Sequence, residues 1–202
     1  GLPSPSLTMK LNPKADLLIP DQTDGPAAFA RTTHLGIGAH QDDLEFMAFE
    51  GVLACYDRSD RWFGGIIMTD GRSSSRKGPY AGWTDDQMAA ERIKEQHQAA
   101  VIGQYSFIAQ LGYLSKEVRP ANEPSVVGDL LAILMAAQPE VVYLHNPADK
   151  ITECQTTVAC KLGNERGRRH AGLCVDFEAD QLARAAGTIV EPEIGAADPP
   201  AT

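Results

Sequence analysis

No run of apolar residues in this 202-residue chain approaches the roughly 18 that a membrane-spanning helix needs. Residues 1–30 hold no apolar signal core, which points to a cytoplasmic protein. Met9 is a candidate original start, with Gly1 to Thr8 ahead of it. Basic charge is also short: 18 Lys and Arg against 27 Asp and Glu give a net charge of −9. That balance argues against a nucleic-acid footprint or a basic membrane-binding surface. The four cysteines, Cys55, Cys154, Cys160 and Cys174, include no CxxC pair. A chain of this size needs no disulfide framework, so reduced thiols are expected.

What is present is material for one globular domain. Hydrophobic residues make up 43% of the chain, too many for a disordered protein. Residues 1–32 hold scattered prolines and little periodicity, and read as an irregular arm draped over the domain. Then a repeating order begins. His34 to Ala39 is a short buried-strand run, and Asp43 to Tyr56 has apolar residues at helical spacing. Trp62 to Thr69 is a second strand, closed by the turn signal Asp70-Gly71. Thr84 opens a helix with Gln87 three residues on, as in a capping box, and the helix runs to about Ile102.

Tyr105 to Gly112 reads as a third strand. Asn122 and Pro124 open a helix through Ala137, and Glu140 to Leu144 is a fourth strand. Strands alternating with helices imply an α/β, Rossmann-like parallel sheet with helices on both faces. After Lys150 periodicity weakens. Residues 151–174 show no clear strand, Phe177 to Ala186 suits a helix, and the end looks frayed.

Ligands of open α/β sheets bind beyond the carboxyl ends of the strands. The first strand runs directly into Ala39-His40-Gln41-Asp42-Asp43-Leu44-Glu45. His40 and Asp43 lie three apart across a strand-to-helix turn, so both can face one point. Imidazole and carboxylate are zinc ligands. Asp42 lies between them, where a carboxylate can act as general base on metal-activated water. The same residues would also serve simply to cap a helix, whose N-terminus favours negative charge. Arg92 and Glu95 read equally as a solvated helix pair, and Asp70 as a turn residue. Ser73 to Tyr80 is either a flexible loop or part of a substrate rim. His34 and His97 read as ordinary strand and helix residues. Gly36-Ile37-Gly38 lacks the later glycine of a dinucleotide loop.

The motif AHQDDLE after a buried first strand resembles the AHPDDxE signature of the PIG-L/LmbE-like deacetylases. Met68-Thr69-Asp70-Gly71 resembles that family's TDG turn, and Arg92-Ile93-Lys94-Glu95 its RxxE element. The resemblance covers about residues 33–150. It implies a Rossmann-like fold and a Zn2+-dependent N-deacetylase acting on a small amino sugar or glycoconjugate. It implies His40 and Asp43 as zinc ligands and Asp42 as general base. Arg92 would hold substrate hydroxyls, and Asp70 would support the site. Gln41 departs from the family's proline, a residue that neither ligates nor transfers protons.

Residues 151–202 depart further. The family's His-x-x-His stretch supplies an assisting histidine and the third zinc ligand. Here Ile151 stands in the first place and Cys154 in the second. A cysteine thiolate can ligate zinc, but isoleucine can donate nothing. His145 reads as a strand-end histidine bonded to backbone. Cys154, Cys160, His170 and Cys174 have the ligand types of a structural zinc site at an unfamiliar spacing. The expectation is therefore an impaired hydrolase. The alternatives are a non-catalytic metal- or sugar-binding relative and an unstable truncated product of a deacetylase gene.

Overall fold

The computed structural model describes residues 9–120 and 123–145, and the backbone of 173–176. Four strands are parallel: β2 (His34–Gly38), β3 (Phe63–Thr69), β4 (Phe107–Tyr113) and β5 (Val141–Leu144). Two short strands, β1 (Asp16–Leu18) and β6 (Leu173–Asp176), pair antiparallel with β4 and β5. The order is β1-β4-β3-β2-β5-β6. From β2 the chain steps through β3 to β4, then returns to place β5 on the other side of β2. The switch point of the sheet is thus the gap between β2 and β5, where α/β proteins bind ligands.

Each element follows from its residues. β2 and β3 are buried along their whole length, so both faces must be covered. One face carries α1 (Gly25–Ala30), the short α5 (Ser115–Val118) and α6 (Pro124–Ala137), which enclose Phe29, Leu35, Ile66, Phe107, Leu130 and Leu134. The other carries α2 (Asp43–Met47), α3 (Phe49–Cys55) and α4 (Asp85–Ile102), over Leu44, Phe63, Ile67 and Tyr105. The capping box of α4 is formed: Gln87 N–H donates to Thr84 Oγ1 at 3.2 Å, and Thr84 N–H to Gln87 Oε1 at 2.9 Å. Pro124 stands at the start of α6, where its missing N–H costs nothing.

Three local expectations are corrected. Among the described residues of the 1–32 arm, Asp16–Leu18 and Gly25–Ala30 are regular, as β1 and α1. Tertiary bonds hold it: Asp16 contacts His97 of α4, and Asp129 Oδ2 accepts Asn12 N–H at 3.0 Å. The helix expected over Asp43 to Tyr56 breaks at Ala48. Its two parts answer to different contacts, since Leu44 and Ala48 close over Gly36 while Gly51 lies under the Tyr143 ring. The stretch after Lys150 does contain a strand, β6, specified by its pairing with β5 rather than by its own period. Among the described residues no helix is long and apolar enough to cross a membrane. The helix expected over Phe177 to Ala186 lies outside the described residues.

Candidate active site

The carboxyl end of β2 turns through His40-Gln41-Asp42-Asp43 into α2. Asp43 N–H reaches back to His40 C=O at 3.3 Å, and Asp42 has φ 80° and ψ −20°. This is the pattern of a type II turn, which favours glycine at its third residue. Aspartate tolerates the left-handed conformation better than most side chains, but still at a cost. The surroundings therefore have to hold it. Asp42 N–H donates to Gln96 Oε1 at 3.1 Å, and Arg92 Nη2 donates to Gln41 C=O at 2.6 Å and Asp42 Oδ2 at 3.0 Å. Gln96 is 1% exposed, and its amide nitrogen donates to Glu45 Oε1, which also accepts the Tyr105 hydroxyl.

Asp43 is gathered by two histidines. Its Oδ2 accepts His40 N–H at 2.7 Å, lies 3.7 Å from His40 Nδ1, and is 2.9 Å from His145 Nε2. Burial alone would raise this carboxyl, but hydrogen bonds from His145 and His40 override it and hold it below the usual carboxylate range. The hydrogen bond to Asp43 raises the His40 imidazole, with burial working against it. His145 Nε2 also faces Ala39 N–H at 3.0 Å. The two contacts ask opposite things of one nitrogen, a proton for Asp43 and a lone pair for Ala39.

Two glycines make room for this cluster. A Cβ on Gly38 would stand 2.9 Å from Asp43 Cβ. Gly71 has φ +71°, and a Cβ there would meet Gln41 Oε1 at 2.4 Å and Arg92 Cβ at 3.0 Å.

His40, Asp42, Asp43 and Arg92 line one cleft of about 490 Å³ at the strand ends, with Gly71, Tyr80 and Ser115 among the other walls. Asp42 is the exposed member, its side chain 57% accessible. Asp70 lies elsewhere. It accepts Arg72 N–H at 3.1 Å and Arg72 Nε at 2.5 Å, and it borders a smaller cavity of about 150 Å³ behind the turn. Arg92 is not a solvated helix pair: its terminal nitrogens bind Glu95, Gln41 C=O and Asp42. His34 is a buried strand residue, as expected, and His97 a helix residue bonded to β1.

Cys154, Ile151, Cys160 and His170 lie outside the described residues, as do the side-chain contacts of Cys174. Among the described residues no three His, Cys, Asp or Glu side chains form a metal-holding group. His40 and Asp43 fit zinc by donor type, as two of the three protein ligands a catalytic site uses.

Sequence reading missed several participants. His145 is the backbone-bonded strand-end histidine that the sequence predicts, yet it also reaches Asp43. The parallel register that sets Leu144 beside Ile37 puts residue 145 next to the turn. Gln96, Tyr105 and Gln110 gave no signal, because their partners are more than ten residues away in sequence.

The motif and the cleft at the carboxyl ends of the strands agree with one comparison. A family model described as PIG-L, GlcNAc-PI de-N-acetylase, matches residues 35–158. The chain belongs to the PIG-L family. Among solved structures, it resembles the N,N'-diacetylchitobiose deacetylase from Pyrococcus horikoshii, determined with its inhibitor. The TM-score is 0.51 and the identity 22%, over 73% of this chain and 57% of that one. That likeness establishes a shared fold, and the chain spans little more than half the length of the Pyrococcus horikoshii enzyme. No curated protein sequence matches the chain.

Proposed function

We propose that this PIG-L chain has the site of a zinc-dependent hydrolase that removes an acetyl or other acyl group from the amide nitrogen of an amino sugar or related glycoconjugate. We further propose that Ile151 and Cys154 leave it impaired. The observation that carries the reading is the convergence of His40, Asp42 and Asp43 on one open cleft at the carboxyl ends of β2, β3 and β4. The family match and the related deacetylase fold support the same class of reaction.

His40 and Asp43 would hold the metal, with Cys154 in the third ligand's place. Zinc bound there supplies a Lewis acid that makes water acidic enough to attack near neutral pH. The chain's own residues do the rest. Asp42 Oδ2 is fixed by Arg92 Nη2, which leaves Oδ1 to accept the proton of the attacking water. The same carboxyl then returns a proton toward the departing amine. His145 and the His40 backbone N–H hold Asp43 ionised and oriented. Arg92 lines the cleft beside Asp42 and takes the substrate's hydroxyls. In the sequence Ile151 stands where the family has its assisting histidine, and an aliphatic group would not stabilise the oxyanion as that histidine would.

The test is release of primary amine and acetate from an N-acetylglucosamine derivative, with zinc measured by elemental analysis after dialysis. The expected result is bound zinc that His40→Ala removes, with slow turnover. Rapid zinc-dependent turnover would refute the impairment. Zinc unchanged in His40→Ala would move the metal to Cys154, Cys160, His170 and Cys174. Sugar binding with neither zinc nor turnover would establish the non-catalytic relative instead.

A further inference from the structure

The segment joining β3 to α4, residues 71–84, forms the wall of the cleft opposite His40 and Asp42, and it is braced rather than loose. One guanidinium fastens it. Arg76 donates to Ser74 C=O at 2.5 Å, Arg72 C=O at 2.7 Å, Trp83 C=O at 3.2 Å and Asp85 Oδ1 at 2.6 Å, in the first turn of α4. Successive turns complete the wall, with Ser74 N–H on Gly71 C=O and Trp83 N–H on Tyr80 C=O. Pro79 sits inside the short 3-10 turn Gly78–Tyr80, which limits the backbone further.

The product of this bracing is a fixed aromatic surface. Tyr80 is half-buried and lines the cleft. Trp83 packs edge-on against it, ring centroids 5.0 Å apart and planes at 87°. That contact uses the Trp83 ring to hold Tyr80 in place, while Tyr80 remains a wall of the cleft. Ser73, Ser74 and Ser75 border the same space with hydroxyls. An aromatic face carries negative potential and attracts polarised C–H groups. A pyranose ring presents such C–H groups on one face and hydroxyls around its rim.

We propose that Tyr80 is a specificity-determining residue that stacks on the face of a hexopyranose ring, with the Ser73–Ser75 hydroxyls meeting the ring's edge. The proposal rests on the amino-sugar reading above and adds the subsite that distinguishes a sugar amide from any other amide. A rigid aromatic wall is suited to this role because little conformational freedom is lost when the sugar binds.

The experiment reads binding, not turnover, so an impaired site does not obscure it. The chain has two tryptophans, and Trp62→Phe leaves Trp83 as the single indole reporter beside the subsite. In that background, N,N'-diacetylchitobiose is titrated while Trp83 emission is followed, with Tyr80 intact, Tyr80→Phe and Tyr80→Ala. Tyr80→Phe keeps the ring and should bind within about twofold of the parent. Tyr80→Ala should bind about tenfold more weakly, the worth of one aromatic contact. Equal affinity of Tyr80→Ala and the parent overturns the proposal. Absence of saccharide binding in all three overturns it together with the amino-sugar reading. Sugar binding through Tyr80 in a chain that releases no amine supports the subsite and removes only the hydrolase.

Discussion

Replacing Gln96 by leucine removes the support of the catalytic turn without touching the cleft wall. Gln96 is 1% exposed and bridges Asp42 N–H, at 3.1 Å, to Glu45 Oε1, at 2.9 Å. Leucine fills a similar volume, so packing changes little. What changes is hydrogen bonding. Asp42 N–H loses its acceptor in a left-handed residue that has no freedom to turn away. Glu45 Oε1 keeps only Tyr105, and Glu45 Oε2 is already buried without a partner. Asp42 N–H is the one group newly left unsatisfied, at about 1–3 kcal/mol, so stability should fall by about 2 kcal/mol. For a chain of this length each kcal/mol moves Tm by roughly 2–4 °C, which gives a fall of about 4–8 °C. Lys94→Ala, on the exposed side of the same helix, is the control and should change stability by less than about 0.5 kcal/mol. Thermal and urea unfolding of the three proteins decide the matter. Equal stability of Gln96→Leu and Lys94→Ala would show that the turn is held by Arg92 alone.

Asp42→Asn should lower any measured deacetylation rate by about a hundredfold while zinc stays bound. Asparagine accepts the left-handed conformation, so a fall in rate could not be blamed on misfolding, and unchanged kcat would remove Asp42 from the chemistry. Burial pushes the Cys55 thiol up to about 11 from its ordinary 9.0. Its thiolate is therefore scarce at pH 8, and peptide-resolved alkylation should leave Cys55 unlabelled in the folded protein and label it readily in urea. Ready labelling of the folded chain would contradict the burial. Cys154→His should improve zinc retention with little gain in rate, and Ile151→His alone should gain little. Combined, the two should exceed the sum of their separate effects, as expected for residues serving one transition state.

The central sheet was legible because its strands are short apolar runs between turn residues, and α4 because Thr84 and Gln87 spell a capping box. The edge strands were not. Asp16–Leu18 is too short to show a period and is held by β4, His97 and the Asp129–Asn12 contact. Leu173–Asp176 is set by register with β5. The same division runs through the site. His40, Asp42 and Asp43 stand together in sequence and could be read from spacing and resemblance. Gln96, Tyr105 and His145 act across more than fifty residues, and a buried glutamine on a helix looks like any other polar residue until its partners are placed.

Gln41 shows what a departure from the family pattern changes. It occupies the second position of a turn whose geometry favours proline there, and the PIG-L signature has proline. Taken locally, Gln41→Pro should stabilise by about 0.4–1 kcal/mol, because it restricts the unfolded chain. The surroundings oppose this. The Gln41 amide is buried and donates to Thr69 C=O at 3.2 Å and to Gln110 Oε1 at 3.0 Å. Both neighbours are oxygens, so the amide cannot be turned round, and its Oε1 is left buried without a partner. Proline would remove that orphaned atom but strand Gln110 Oε1 in its place. The exchange of one orphan for another roughly cancels, and the vacated volume adds a cavity cost. The single variant should therefore gain nothing, or lose about 1 kcal/mol, despite the favourable turn. Adding Gln110→Leu fills the space and removes the stranded oxygen. The pair should recover at least about 1 kcal/mol relative to the sum of the single changes. Chemical unfolding of the parent, both single variants and the double variant measures that coupling. Additivity within about 0.5 kcal/mol would mean that Gln41 and Gln110 are independent, and that the loss of proline at this turn has no compensating partner in the core.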